Sequence, residues 1–240
     1  RADTVIADAR NGVRTWLDGM DGCKVIEGHA HFEDAQTLRV GDERFTAPRI
    51  FLNVGGRAAV PDMPGLHDIP YLTNTSMLGL EQVPAHLLIV GGSYIGLEYA
   101  QMYRRFGARV TVVEKGPRLI GREDEDVSVA VREILEGEGI AVHTGVDHIA
   151  FAREGETIAV TLDGTRVTCS HVLVAVGRVP NTGDLGLDKA GVVTDARGYI
   201  TVDDELQSSV PGIWALGDCN GRGAFTHTAY NDFEIVAANL

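Results

Sequence analysis

Cysteine is scarce and basic charge is outnumbered. Only three cysteines occur in 240 residues, Cys23, Cys169 and Cys219. Their odd number and wide spacing exclude a disulfide framework and a metal knuckle, and they fit a reducing, cytoplasmic setting. Lysine and arginine total 21 against 34 acidic residues, for a formal net charge of -13. That field repels phosphate backbones and argues against nucleic-acid binding, so any phosphate ligand needs local donors. No apolar run nears the ~18 residues of a membrane-spanning helix. Arg1 opens into polar sequence without the basic and apolar regions of a signal peptide, so neither membrane insertion nor export is expected. What the chain has in excess is glycine, 29 of 240 residues, against a usual ~7%. The glycines cluster, and the clusters carry the chemistry.

Val5, Ala9, Val13, Trp16, Leu17 and Met20 form one apolar stripe at helical spacing, closed by Gly19 and Gly22. From Val25 to about Asn53 the pattern shortens into stretches rich in Val, Ile, Phe and Thr, as in a small antiparallel meander. Residues 55 to 70 carry Gly-Gly and several prolines, which mark a crossing between domains or a loop wrapped around something. A strand at Leu87 to Val90, a helix at Ile95 to Phe106 and a strand at Arg109 to Val113 then give a βαβ rhythm. The acidic run Glu123 to Asp126 suits the positive end of a second helix, through Val127, Val131, Ile134 and Leu135. A strand at Ile140 to His143, a second meander from Ile149 to Thr168 and a strand at Val172 to Val176 follow. The chain then reaches a strand ending at Gly217-Asp218, and a loop entering a helix from Phe225 to Leu240.

The strongest local signal is Leu87-Leu88-Ile89-Val90-Gly91-Gly92-Ser93-Tyr94-Ile95-Gly96-Leu97-Glu98, a G-x-G-x-x-G loop with Ser93 at the second glycine. Such a loop needs a tight turn at Gly91, close backbone approach to a pyrophosphate at position 93, and close helix-on-strand contact at Gly96. The strand before it, the helix after it and Glu114 closing the next strand supply the context of a dinucleotide site. A carboxylate there accepts both ribose hydroxyls of adenosine and repels a 2'-phosphate, which favours NAD. Lys115 and Arg118 stand close behind and offer the alternative of clamping the 2'-phosphate of NADP.

With these residues in place, the chain resembles the FAD-dependent pyridine nucleotide-disulfide oxidoreductases, the family of dihydrolipoamide dehydrogenase, glutathione reductase and mercuric reductase. The resemblance spans essentially the whole sequence. Its motifs run in family order: Asn53-Val54-Gly55-Gly56 with Pro61-x-x-Pro64-Gly65, the glycine loop with Leu97-Glu98, Gly177-Arg178-Val179-Pro180-Asn181, and Ile213-Trp214-Ala215-Leu216-Gly217-Asp218. Phe225 to Asp232 is most similar to the mercuric-reductase-like branch.

The resemblance implies roles. Asp218, after Gly217, matches a carboxylate that binds a ribityl hydroxyl of FAD, and His227 and Ala229 match a segment beside the flavin pyrimidine. Tyr94 matches a tyrosine that covers the flavin until nicotinamide displaces it, and its plain alternative is a packed aromatic. Gly92 and Ile95 belong to the dinucleotide loop, Glu98 matches a glutamate near the nicotinamide carboxamide, and Gly177 and Arg178 match a turn beside the dinucleotide. Gly55 belongs to a stretch where Asn53-Val54-Gly55 replaces the family's Ala-Thr-Gly, with the loss of one hydroxyl. His29 and His31 have a metal-compatible spacing but no third ligand, so no metal is expected.

The fold expected is α/β: a Rossmann-like NAD(P)-binding domain at 73–180 inserted in part of an FAD-binding α/β domain at 1–72 and 181–240, each with an antiparallel β-meander. The implied function is hydride transfer from NAD(P)H to FAD and on to a disulfide or related small-molecule acceptor, in a longer enzyme. Its flavin-pyrophosphate loop and redox-active C-x-x-x-x-C would lie upstream, and a homodimer-forming domain downstream. No catalytic side chain is expected within these residues. Two rivals are a flavin-dependent reductase or oxidase without a redox disulfide, and a non-catalytic dinucleotide-binding module.

Overall fold

The computed structural model describes residues 2–240. The chain divides into two compact units, 1–57 with 179–240 and 58–178. The first begins with helix α1 (Ala2–Asp18), closed where Gly19 N–H donates to Thr15 O. The helix forms where its spacing places it, yet Val5, Val13, Trp16 and Met20 are exposed, Trp16 by 66%. Strands β1 (Ala30–Phe32), β2 (Thr37–Val40) and β3 (Glu43–Thr46) form the expected antiparallel meander. The Asp34 carboxylate accepts the N–H groups of Gln36 and Thr37 in its first turn. The meander ends at Thr46, earlier than the pattern suggests, because β4 (Ile50–Leu52) pairs in parallel with a strand near the other end of the chain. After β5 (Gly56–Ala58) the chain enters the second unit.

That unit is a sandwich of helices, parallel sheet and meander. Its sheet has the order β6-β13-β7-β8-β9, all neighbours parallel, from β6 (Tyr71–Leu72), β7 (His86–Val90), β8 (Arg109–Val113), β9 (Ala141–His143) and β13 (His171–Val174). Helices α2 (Tyr94–Arg105) and α3 (Glu125–Gly137) cover one face. The meander β10 (Ile149–Glu154), β11 (Thr157–Leu162) and β12 (Thr165–Cys169) covers the other. The period of two sorts the side chains. Leu87, Ile89, Val110, Val112 and Leu173 pack on Leu97, Ala100, Tyr103 and Leu135. Their neighbours Leu88, Val90, Val113, Val172 and Val174 pack on Phe151, Ile158 and Val160. With both faces buried, these strands read as continuous apolar runs.

The structural division falls at 57/58, whereas the sequence-based partition runs to residue 72. Residues 58–72 sit with the second unit because Leu66 and Ile69 join the meander-side core and Tyr71–Leu72 pairs with β13. Gly65 (φ +74) fits only as glycine, since a Cβ would strike the Phe151 carbonyl. The chain leaves this unit within β14 (Arg178–Pro180). It then completes the first unit with α4 (Leu187–Ala190), β15 (Ile213–Ala215), a 3-10 turn at Gly217–Asn220 and α5 (Thr226–Asn239). Phe32, Ile50, Leu52, Leu185, Ile200 and Ile213 form the core there. No described helix is long and apolar enough to cross a membrane.

Candidate functional site

In the second unit, the β7–β8–β9 run proceeds in one direction across the sheet, while β13 lies on the other side of β7. The carboxyl end of β7 is therefore a topological switch point, where open α/β sheets leave a crevice for ligands. The glycine loop sits there. Gly91 has φ +117, and a Cβ on it would strike the Ala175 carbonyl just past the end of the neighbouring strand β13. At Gly96 a Cβ would strike the Gly91 carbonyl and stand 3.2 Å from Ile89 Cγ2, so α2 rides directly on β7. A Cβ at Gly92 would stand 2.7 Å from Leu119 Cδ2 and 2.9 Å from Glu114 Cβ. Ser93 is the N-cap of α2, with Tyr94 and Ile95 in the first turn, so the amide end of the helix opens beside the loop. At all three positions a Cβ would collide with the protein itself, so glycine keeps the loop folded tightly against its surroundings.

Glu114, at the end of β8, is half-buried. Its Oε2 accepts the Gly92 N–H at 2.6 Å and its Oε1 accepts the Gly116 N–H at 2.6 Å. The carboxylate thus pins the glycine loop as well as facing the crevice, and the loop-pinning was not legible from spacing. A cavity of about 560 Å³ opens here, lined by Val90, Gly91, Val113, Glu114, Lys115 and Val176, among others. Lys115 is exposed at its edge. Arg118, the other cation behind Glu114, donates to the carbonyls of Gly121 and Glu123 at 3.2 and 3.0 Å, so its guanidinium braces its own loop. Tyr94 and Glu98 lie one turn apart and exposed on α2. Gly177 (φ +147) turns the chain after β13, and its carbonyl accepts the Ala59 N–H at 2.9 Å; Arg178 follows, partly buried.

The remaining sequence-selected residues belong to the first unit. Gly217 (φ +68) ends the β15 strand, and a Cβ there would stand 2.8 Å from Asn53 Oδ1 and 3.1 Å from Ala229 Cβ. The corner is held by Asp232, only 7% exposed, whose Oδ2 accepts the Gly217 N–H and the Asn220 side-chain amide, both at 2.8 Å. Asp218, partly exposed, follows Gly217 at the rim of this corner. His227 is exposed in the first turn of α5, stacked on Phe225 with ring centroids 5.3 Å apart. Gly55 (φ +66) accepts the Asn181 N–H at 3.1 Å, and Asn181 Nδ2 donates to Val54 O at 3.0 Å, bonds that unite Asn53-Val54-Gly55 with the Pro180-Asn181 segment.

The sequence does not point to Asp232 as the residue that holds the Gly217 corner, nor to Asp147 and His148 as walls of the 560 Å³ cavity; Pro61 to Pro64, expected as a crossing or a wrapped loop, line that cavity as well. His29 and His31 stack with centroids 6.3 Å apart, and no group of three ligands fit for a metal occurs among the described residues. Cys169 and Cys219 are buried and free; burial pushes the Cys169 thiol up to about 12 and raises Cys219 as well, so neither is a ready thiolate.

The sequence profile of the family described as pyridine nucleotide-disulphide oxidoreductase matches residues 4–232. A mercuric reductase of Streptomyces lividans is 37% identical, covering 99% of this chain and 52% of that protein. The probable pyridine nucleotide-disulfide oxidoreductase RclA of Escherichia coli (strain K12) is 32% identical, over 100% of this chain and 56% of that protein. Among solved structures, the HOCl-induced flavoprotein disulfide reductase RclA from Escherichia coli superposes with a TM-score of 0.93 at 32% identity, covering 99% of this chain and 55% of that one. LpdA from Mycobacterium tuberculosis superposes with a TM-score of 0.86 at 27% identity, over 98% of this chain and 54% of that one. The chain spans about half the length of the curated relatives it matches.

Proposed function

Because this chain belongs to the pyridine nucleotide-disulphide oxidoreductase family, whose members bind FAD and NAD(P), we propose that residues 58–178 hold NADH and that 1–57 with 179–240 hold part of an FAD site. The cofactors, when bound, supply a hydride passing from the nicotinamide to the flavin, and the electrons go on to a disulfide or related acceptor. The observation that carries the reading is the tight glycine turn of Gly91, Gly92 and Gly96, where no Cβ fits, at the switch point, with Glu114 fixed beside it. Backbone N–H groups at the start of α2 bind the pyrophosphate. Glu114 accepts the adenosine ribose hydroxyls, and its negative charge disfavours a 2'-phosphate. Arg118 is engaged elsewhere, which leaves Lys115 alone to favour NADP. Tyr94, Glu98, Gly177 and Arg178 border the nicotinamide half.

For FAD, the tight corner at Gly217 and the partly exposed Asp218 fit a carboxylate that orients the ribityl chain. Ala229 and His227 place the first turn of α5 beside the flavin ring, where the positive end of the helix favours negative charge on the reduced form.

The test is a calorimetric titration of the chain with NADH and with NADPH. NADH should bind more tightly, and Glu114→Ala should weaken it about tenfold, or ~1.4 kcal/mol, while narrowing the gap to NADPH. A strong wild-type preference for NADPH would make Lys115 the reader and overturn the assignment to NAD.

A further inference from the structure

We propose that Asp163 is a positioning residue for the adenosine half of the dinucleotide cavity, acting by anchoring the wall formed by Val146 to Ala150. The proposal rests on the NAD reading above, in which Glu114 marks the adenosine ribose.

Val146, Asp147, His148, Ile149 and Ala150 all line the cavity that Glu114 and Gly91 share. Residues 146–148 connect β9 to β10 without helix or strand of their own, so their shape depends on what holds them. On the Glu114 side, Gly145 N–H donates to Gly116 O at 2.8 Å and Val146 N–H to Glu114 O at 3.2 Å. On the other side Ile149 and Ala150 pair with β11, and among the described residues the side-chain anchor of 147 and 148 is Asp163. The Asp163 carboxylate accepts His148 N–H through Oδ1 at 2.8 Å and Asp147 N–H through Oδ2 at 3.2 Å. Its own N–H donates to His148 O at 3.0 Å.

The hairpin does not itself require an acid at this position. Leu162 pairs with Thr165, leaving Asp163 (φ +44) and Gly164 (φ +87) as a two-residue loop with both φ values positive. Asn or Gly suits such a loop as well as Asp, and Gly suits the left-handed region better. What Asp adds is a pair of fixed acceptors for two adjacent backbone donors, which neither alternative supplies. Hydrogen bonds from N–H to carboxylate are stronger than neutral ones. Without them, ordering the wall becomes part of the cost of binding the ligand.

This separates turn from anchor. Asp163→Gly relaxes the loop and removes the anchor, whereas Asp163→Asn keeps the loop and one acceptor. The experiment measures ADP-ribose affinity by calorimetry for the wild-type chain and both variants, with amide hydrogen exchange at residues 147 and 148 in the free proteins. Asp163→Gly should bind ADP-ribose about tenfold more weakly and exchange both amides faster. Asp163→Asn should recover most of that affinity and protect one of the two amides. Unchanged affinity in Asp163→Gly, or equal losses in the two variants, would overturn the anchoring role and leave the NAD reading standing. Failure of the wild-type chain to bind ADP-ribose would overturn both.

Discussion

Between Val90 and Tyr94 the chain turns from strand to helix at Gly91, and after Ala215 it turns at Gly217 into a 3-10 turn that precedes α5. Both corners exclude a side chain, but what excludes it differs. At the first, the obstacles are the backbone of Ala175 and of Gly91 itself, together with Glu114 and Leu119. Ala175 and Leu119 apart, the strand, loop, helix and second strand that make it run unbroken from His86 to Glu114. At the second, Asn53 and Ala229 close on Gly217 from opposite ends of the sequence, and Asp232 ties the corner to α5. The first corner is a local device with a fixed spacing; the second is an assembly of distant pieces held by a buried carboxylate.

Gly96→Val tests the local device most severely. Its Cβ meets backbone, which cannot swing aside, so α2 must lift from β7 and the cradle opens. Overpacking of this kind costs about 1 to 3 kcal/mol or more. NADH affinity by calorimetry should drop at least about a hundredfold. Binding as tight as the parent's would place the dinucleotide elsewhere.

Asp232→Ala probes the assembled corner. Removing the carboxylate strands two buried donors, the Gly217 N–H and the Asn220 amide, at a cost of about 2 to 4 kcal/mol. The bonds of the NADH cradle all lie within 58–178, so NADH affinity should stay as it was while the melting transition of 1–57 with 179–240 drops. NADH itself raises only the transition of the unit that binds it, which identifies the two in a calorimetric scan. A matching loss of NADH affinity would erase the distinction between the corners.

The same distinction explains what could be read from the residues. The apolar runs of β7, β8 and β13, the helices between them and the spacing from Gly96 to Glu114 are nearest-neighbour information, and they place the sheet and the cradle. The parallel pairing of β4 with β15 depends on a partner far along the chain, so the first meander reads as running to Asn53 when it stops at Thr46. The helical stripe from Val5 to Met20 specifies α1 but not what its apolar face meets. Glu114 could be chosen as a ribose reader, yet its grip on Gly92 and Gly116 follows only from backbone paths that bring those amides together. Nothing in the sequence marks Asp163, because the two amides it holds belong to another loop.

The smallest effect expected sits at the other end of β7. His86 is buried, with Nδ1 at 2.7 Å from Thr168 O and Nε2 at 2.9 Å from Thr111 Oγ1. The carbonyl can only accept, so Nδ1 carries the proton, and in the neutral ring Nε2 accepts from the Thr111 hydroxyl. Burial lowers the pKa of His86 from its ordinary 6.5, Thr168 O partly opposes this, and Arg109 adds to it. Above pH 6.5 the ring is neutral whether folded or unfolded, and the contribution to stability is constant. As pH falls below 6.5 the unfolded chain takes up a proton that the folded chain refuses, so stability declines until the folded pKa is reached. The slope from one such group cannot exceed ~1.4 kcal/mol per pH unit. His171, also lowered by burial, adds a second contribution of the same sign. Thermal melts from pH 7.5 to 5.5, in roughly half-unit steps across the window these shifts define, should therefore show the NADH-responsive transition falling with acid in the wild type. In His86→Gln that fall should be shallower, from a lower starting stability because one of the two ring bonds is lost. Equal slopes in the two proteins would mean that the acid sensitivity of this unit arises away from the foot of β7.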